Sequence, residues 1–176
     1  MMMGSERILA QDDIIVSKTD TKGRIQYANR TFLSIADYEE RELLDKPHNI
    51  IRHPDMPRTI FKVLWDHIRD GKEVFSYIKN SAKNGDYYWV FAHVTPTFGE
   101  TGRVVGYHSN RRAPERAAIT DMTSLYRELC AVEAAQGGRK EGLAAGEGLL
   151  NDKLKAAGMT LDEFVFSYAS DERAVG

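Results

Sequence analysis

The amino-acid sequence predicts an α+β domain with one antiparallel sheet, helices over one face of that sheet, and a helical region after it. Two short β patterns come first, helical patterns follow, and three longer β patterns come last, an order that a βαβ array does not produce. Beyond Pro114 the pattern is helical. The predicted organisation is an N-terminal segment of residues 1–12, a domain of residues 13–114 and a helical region of residues 115–176.

The first half of the predicted domain begins with a β-hairpin and continues into helices. Residues 14–16 form the first predicted strand, and the alternation in residues 24–28, beyond a turn-rich segment, predicts its partner. Helical spacing of apolar side chains follows in residues 32–44. A longer helix is predicted over Arg58–Asp70, where apolar residues line one side and Gly71 ends the pattern.

The second half of the predicted domain consists of three strands. Val74–Asn80 and Tyr87–Thr97 flank a segment that contains Asn84 and Gly85, a dipeptide typical of tight hairpins. A glycine-rich turn then leads into a third strand over Arg103–Arg111. Together with the first hairpin, these strands predict a sheet of five strands.

The C-terminal region predicts helices. One amphipathic pattern places the following apolar residues on a single face: Ile119, Met122, Leu125, Tyr126, Leu129 and Val132. Gly137 and Gly138 interrupt this pattern, and a second helical pattern starts near Leu143. The sequence from Thr160 to Glu163 matches a capping box, which predicts a short last helix.

Charge and composition exclude several function classes. The 176 residues carry a formal net charge of −2 with a pI near 6.2, so nothing attracts the chain electrostatically to nucleic acid or to an anionic membrane. No apolar stretch approaches the roughly 20 residues that span a bilayer, and no signal peptide precedes Gln11. Because a single cysteine forms no internal disulfide, the chain is expected in the reducing cytoplasm. Cys130 is interpreted as a small apolar helix residue rather than a redox thiol.

The strand predicted over residues 87–97 has two unlike faces. One face carries only small apolar side chains, and the other carries bulky ones: Val90, Ala92 and Val94 against Trp89, Phe91, His93 and Thr95. Either the small side chains form a wall for a flat ligand, or they form a tight core with the aromatic residues at its rim. Asn80, at the end of the preceding strand, is suited to hydrogen-bond a heteroaromatic ring edge and is also a common turn former.

The segment from Pro47 to Pro57, with the sequence PHNIIRHPDMP, concentrates polar groups in irregular backbone. Arg52, two histidines and Asp55 lie within eight residues of it, an arrangement that is costly to bury without a ligand. The candidates are a metal site, a general acid–base pair, and a wall that binds an anion or a ring. The last fits best, because Arg52 offers two parallel N–H donors to a phosphate and His53 offers a ring. No nucleophile, metal cage or phosphate loop predicts an enzyme.

The motif RHPDMP, followed downstream by KNGDYYW, resembles the N-terminal FAD-binding PAS domains of bacterial aerotaxis receptors. The likeness covers about residues 10–114 and extends to the strand that ends with Val105, Gly106 and Tyr107. The resemblance implies a PAS fold that holds FAD non-covalently, with the flavin redox state as the signal. The FAD-binding positions that it implies are Asn29, His48, Arg52, His53, Asp55, Trp65 and Asn80.

The resemblance also implies a signalling role. Phe75 stands where the family has tryptophan, which alters one aromatic contact to the cofactor. Residues 115–176 do not resemble the membrane anchor and signalling domains that follow in the receptors, so output is expected through a protein partner, such as a chemotaxis-type receptor or kinase, or through the C-terminal helices of a homodimer. Two alternatives are a haem-binding PAS gas sensor with His67 as iron ligand and a cofactor-free PAS adaptor.

Overall fold

A computed structural model describes residues 4–168 and places a five-stranded antiparallel sheet among them. The strands are β1 Ile15–Thr19, β2 Ile25–Ala28, β3 Val74–Ser81, β4 Tyr87–Phe98 and β5 Val104–Arg112. Across the sheet they follow the order β2-β1-β5-β4-β3, so β2 and β3 are the edge strands and β5 is central. The predicted α+β class with one antiparallel sheet is confirmed.

Polar turn residues fix the two hairpins that the sequence predicts. In the first, the carboxylate of Asp20 accepts hydrogen bonds from two backbone N–H groups of the turn, each 2.9 Å long. In the second, the side-chain oxygen of Asn84 accepts a bond from the backbone N–H of Asp86 at 3.0 Å. Gly85 has a φ of 94°, which residues with a β-carbon rarely adopt. Because these bonds join residues two to four positions apart, both turns could be predicted from the sequence.

The helices between the two hairpins are α1 Arg30–Ala36, α2 Glu40–Leu43, a 3-10 helix His48–Ile51 and α3 Arg58–Arg69. Asn29 begins α1, because its side-chain oxygen accepts a hydrogen bond from the backbone N–H of Phe32 at 3.1 Å. α3 ends one residue earlier than the predicted bound, before Gly71 with a φ of 75°.

The described chain divides into two compact units, and the boundary between them falls within α3. The sheet unit consists of the residues up to 53 together with residues 64–114. The helical unit consists of residues 54–63 together with the residues from 115 onward. The sheet unit therefore contains all five strands, while the first turn of α3 belongs to the helical unit.

The helical unit contains α4 Arg116–Ala134, α5 Arg139–Ala157 and α6 Leu161–Phe166. The buried residues of α4 are Ala118, Ile119, Met122, Leu125, Tyr126, Leu129 and Glu133. The predicted apolar face is thus buried up to Leu129, after which Val132 is half-buried and the ionisable Glu133 is buried instead. The predicted capping box at Thr160 begins α6. Within residues 4–168, no helix is long and apolar enough to cross a membrane.

The described part of the N-terminal segment attaches to the start of β4. The backbone N–H of Arg7 donates to the carbonyl of Tyr87 at 2.7 Å, and the Arg7 guanidinium forms a 3.0 Å ion pair with Asp86. The hydrogen bond from the Asn84 side chain lowers the pKa of Asp86 the most. Donors from the Arg7 side chain and the Ser5 backbone lower it further. Residues 5–7 are therefore part of the folded sheet unit.

Candidate functional site

One face of the sheet, called here the inner face, carries the residues that form the candidate site. The cross-strand register places on it Ser17, Ser76, Ile78, Asn80, Tyr88, Val90, Ala92 and Arg111. Val90 and Ala92 are small and almost fully buried, so the part of the face that β4 forms there is flat. Trp89 and Phe91 lie on the opposite face, as the period-two pattern predicts.

The polar segment that the sequence singles out crosses the inner face from one edge of the sheet to the other. At the β2 edge, Pro47 forms an isolated antiparallel bridge with Arg24. At the β3 edge, Arg52 forms the same kind of bridge with Asn80. Since β2 and β3 are the two edge strands, this segment connects the two edges of the sheet, and His48 of its 3-10 helix contacts Ser17 on the inner face. The segment thereby forms a wall opposite the inner face.

A buried arginine occupies the centre of this face. Arg111 is 2% exposed, and its Nη2 donates a 2.5 Å hydrogen bond to the hydroxyl oxygen of Ser17. The Ser17 hydroxyl lies 3.0 Å from Nε2 of His48, on the crossing segment. The ring of Phe32 contacts both partners of the serine, with its centroid 4.5 Å from the guanidinium carbon of Arg111 and 5.8 Å from the centroid of the stacked His48 imidazole. We call these residues and Tyr88 the Arg111 cluster.

The cluster fixes the protonation state of His48. Desolvation, together with the positive charge of Arg111, lowers the pKa of His48 from about 6.5 to about 3. The imidazole is therefore neutral at physiological pH, and in the tautomer protonated at Nδ1 its Nε2 accepts a hydrogen bond from the Ser17 hydroxyl. The hydroxyl oxygen in turn accepts from Arg111. Because His48 is neutral, Arg111 carries the one buried positive charge of the cluster.

The cluster contains buried donors that no described protein group satisfies. Within residues 4–168, Nε and Nη1 of Arg111 and the hydroxyl of Tyr88 are buried and have no hydrogen-bond partner. Desolvation lowers the pKa of Arg111 to about 10, and it raises the pKa of Tyr88 above its usual value. Since unsatisfied buried donors each cost roughly 1–3 kcal/mol, their presence on the same sheet face as Val90 and Ala92 indicates a candidate ligand site.

The structure places the predicted site residues of the sheet unit in different environments. His48 belongs to the Arg111 cluster, and Asn80 is 4% exposed on the inner face opposite Tyr88. Trp65 packs edge-on against Tyr107 with ring centroids 5.5 Å apart. Gly23 packs closely against the indole of Trp65, since a β-carbon at Gly23 would lie 3.0 Å from it.

The other predicted residues of the crossing segment lie at its β3 end. Arg52 is half-buried beside Asn80, and the His53 ring meets Tyr87 edge-on at 5.8 Å. Tyr87 belongs to the outer side of β4, so His53 lies at the rim of the sheet rather than over its centre.

Asn29 is a structural residue in these contacts. Its side-chain oxygen accepts from the backbone N–H groups of Val16 and Phe32, at 3.0 and 3.1 Å, and its amide donates to the carbonyl of Ile14 at 2.8 Å. These three bonds join the start of α1 to β1. The predicted role in cofactor binding would be exerted through this junction.

Asp55 belongs to the helical unit and is exposed there. Its backbone carbonyl accepts a weak hydrogen bond from the half-buried thiol of Cys130 at 3.4 Å. The backbone N–H groups of Arg58 and Thr59 donate to Glu133, so Glu133 caps the first turn of α3.

The alternative ligands of the sequence analysis were a metal ion and haem iron. Within residues 4–168, no three His, Cys, Asp or Glu side chains gather as a metal site requires. His67, the candidate iron ligand, lies half-buried on α3.

Sequence reasoning did not single out Ser17, Tyr88 or Arg111. A signal for Arg111 was present, because the period of two along β5 aligns it with Tyr107 and Ser109 on one face. An arginine at such a position is informative only when the strand is central and that face is covered. Both facts come from the strand order and from the helices over the sheet.

Comparison with known proteins identifies the class. A protein-family model described as the PAS fold matches residues 25–111, which run from the start of β2 almost to the end of β5. A solved structure from work on a flavin analogue and the mechanism of a Light-Oxygen-Voltage domain superposes with a TM-score of 0.57 at 17% identity, covering 62% of this chain and 84% of that one. Residues 25–111 therefore have the PAS fold, and the predicted fold is confirmed.

Two known proteins are similar to this chain in sequence. The aerotaxis receptor of Escherichia coli (strain K12) is 39% identical over 121 residues, which are 69% of this chain and 24% of the receptor. The nitrogen fixation regulatory protein of Klebsiella pneumoniae is 25% identical over 105 residues, 60% of this chain and 21% of that protein. The matched part of this chain thus corresponds to less than a quarter of the length of either relative. The predicted resemblance to aerotaxis receptors is confirmed.

Proposed function

We propose that this protein is a sensor that holds FAD non-covalently between the crossing segment and the inner face, and that it signals the redox state of the flavin. The observation that carries the proposal is the Arg111 cluster, whose buried donors have no hydrogen-bond partner among the described residues and share a sheet face with Val90 and Ala92. Relation to an aerotaxis receptor and to a nitrogen fixation regulatory protein supports a signalling role.

The residues of the inner face fit the chemistry of a flavin. An isoalloxazine ring is flat, which suits the small side chains of Val90 and Ala92, and its carbonyl and nitrogen acceptors suit guanidinium and phenol donors. When bound, FAD takes up and releases electrons at this ring. Arg111 would hold the polar edge of the ring, with Tyr88 and Asn80 as further polar neighbours on the same face.

Arg111 also couples the site to redox state. Reduction adds negative charge to a flavin ring, and a nearby buried cation favours the charged form. The guanidinium of Arg111 donates to the Ser17 hydroxyl, which in turn donates to the neutral His48. This chain of hydrogen bonds orients the guanidinium. A change of charge beside Arg111 would then rearrange this chain, which links β1, β5 and the crossing segment.

The remaining roles follow the family resemblance. We assign Arg52 to the FAD phosphates, Trp65 to packing beside the cofactor, and His53, Asp55 and Asn29 to supporting positions. Residues 13–114 would act as the sensor domain and residues 115–176 as the output region. The output would reach a signalling protein in the cytoplasm, of the chemotaxis receptor or kinase type, from a homodimer of this chain.

The visible spectrum of the purified protein tests the proposal. Protein from flavin-replete cells is expected to be yellow, and heating should release intact FAD, because the one cysteine of the chain lies on α4 in the helical unit. Chromatography of the heated supernatant identifies the flavin. A Soret band would instead support a haem sensor using His67, and a colourless protein that takes up no added FAD would support a cofactor-free adaptor.

Replacing Arg52 with alanine tests the phosphate assignment. The variant is expected to bind FAD more weakly and to unfold at lower temperature, because a ligand at a hundredfold excess over its Kd stabilises a protein by about 2.7 kcal/mol. Arg41→Ala is the matched control, since the Arg41 side chain is 82% exposed and forms a surface ion pair with Glu39. Full FAD retention in Arg52→Ala, measured by fluorescence titration, would remove Arg52 from the site.

A further inference from the structure

The buried carboxylate of Glu133 joins α4 to the first turn of α3 within the helical unit. Glu133 lies on α4 with its side chain 6% exposed. Its Oε1 accepts from the backbone N–H and the hydroxyl of Thr59, both at 2.8 Å, and its Oε2 accepts from the backbone N–H and Nε of Arg58, both at 3.1 Å. Each oxygen thus holds one residue of the first turn of α3. We call this arrangement the Glu133 clamp.

Helix α5 closes over the same carboxylate. Gly142 and Gly146 lie one turn apart on one side of α5. A β-carbon at Gly146 would overlap the hydroxyl oxygen of Thr59, and one at Gly142 would lie 2.7 Å from the backbone oxygen of Glu133. By contrast, a β-carbon at Gly148 would meet open space. The two glycines are therefore needed for α5 to approach the clamp.

The clamp is charged at neutral pH. Burial alone raises the pKa of Glu133, but the hydrogen bonds from Thr59 and Arg58 outweigh burial and lower the pKa below its ordinary value. The carboxylate also stabilises the positive end of the α3 dipole, where the first backbone N–H groups have no partner within the helix. Four donors on one carboxylate leave little freedom for the first turn of α3 to move independently of α4.

The other half of α3 belongs to the sheet unit, where it touches the candidate site. Trp65 follows Thr59 by six residues, a separation of about 9 Å along a helix. Its indole packs against Tyr107, which lies on the inner face of β5 four residues before Arg111. A single continuous helix therefore has one end at the wall of the proposed flavin site and the other end held by Glu133.

We propose that Glu133 is a positioning residue for signal output: it ties α4 and α5 to the first turn of α3, so that displacement of α3 by the redox change moves the output helices. Transmission of the displacement along α3 requires only that α3 is one continuous helix. This inference rests on the proposed flavin function, which supplies the stimulus. It assigns a role to a residue that is not part of the proposed cofactor site.

Hydrogen exchange of the full chain, with the flavin oxidised and then reduced, tests the role of Glu133. In the wild type, reduction is expected to change exchange in the inner-face strands and in residues 116–134. In Glu133→Gln, which cannot accept the Arg58 donors at its amide nitrogen, the flavin spectrum and the strand response are expected to persist while the change in residues 116–134 is lost. Glu128→Gln is the matched control, because Glu128 lies on the same helix in an exposed 2.8 Å pair with Lys153.

A second pair of variants covers the case in which Glu133→Gln fails to fold. Gly146→Ala is expected to push α5 and Thr59 apart and to lose the same response, while Gly148→Ala retains it. A response in residues 116–134 that survives both Glu133→Gln and Gly146→Ala would overturn the inference, as would a wild type whose strands respond to reduction while these residues do not. Protein without flavin would overturn the proposed function, and the inference with it.

Discussion

Arg111→Met is expected to lose tight flavin binding while the protein without flavin remains folded. The substitution removes Nε and Nη1, two buried donors that have no partner within residues 4–168, and methionine fills much of the same space with apolar atoms. A hydrogen bond from a charged donor contributes about 1.5–3 kcal/mol, so the loss of one raises the Kd for FAD roughly 10–150-fold. Stability without ligand should hold or rise, because an incompletely paired buried charge is removed.

The matched control for this variant is the next residue along the strand. Arg112 has the opposite orientation on β5 and is exposed, so Arg112→Met should bind FAD like the wild type. Flavin titration gives the Kd of each protein, and urea unfolding of the stripped proteins gives their stability. If Arg111→Met binds FAD like Arg112→Met, the Arg111 cluster is not the flavin site. Where binding survives at high FAD concentration, the reduction potential should also be more negative, because the cation that favours the reduced ring is gone.

The second large effect is a loss of stability in acid that depends on His48. The folded-state pKa of about 3 lies below the unfolded value of about 6.5, so the unfolded chain binds a proton that the folded protein rejects. The contribution of neutral His48 is therefore complete above pH 6.5 and decreases as the pH falls toward 3. The expected slope is about 1.4 kcal/mol per pH unit, or on the order of 2 kcal/mol between pH 7 and pH 4.5.

Urea unfolding of the wild type and of His48→Gln at these two pH values measures the effect. Glutamine retains a hydrogen-bonding group toward Ser17 but has no proton to gain, so the variant should lose less stability in acid than the wild type. His93→Gln is the control, because its imidazole lies outside the cluster, stacked on Phe75 and paired with Glu73 on the other face of the sheet. Equal losses in the wild type and His48→Gln would show that the His48 ring is not desolvated as described.

Much of the fold was predictable because its signals are local. The turn bonds of Asp20 and Asn84, the Asn29 cap and the Thr160 capping box each join residues fewer than five positions apart. The alternation along β4 correctly separated Val90 and Ala92 from Trp89 and Phe91, since period two is a property of any extended strand. The motif around Arg52 indicated the family, and the match of residues 25–111 to the PAS fold bears this out.

The composition of the site, by contrast, depends on contacts between distant residues. Ser17 and Arg111 are 94 positions apart, and they meet only because β5 pairs with β1 in the middle of the sheet. Period two shows that Arg111 shares a face with Tyr107, but it does not show which face the helices cover. The burial of Arg111, the unmet donors beside it and the low pKa of His48 all follow from that coverage.

The same distinction applies to the helical region. The sequence by itself determined that α4 is amphipathic and that Thr160 caps the start of α6, because helix periodicity and capping are set by neighbours within two turns. Only the tertiary structure decided that Glu133 is buried, since its partners on α3 lie 74 and 75 positions earlier. A glutamate at the end of an apolar stripe resembles any solvated surface residue until the donors that satisfy its charge are in place, and those donors are brought together by packing rather than by sequence spacing.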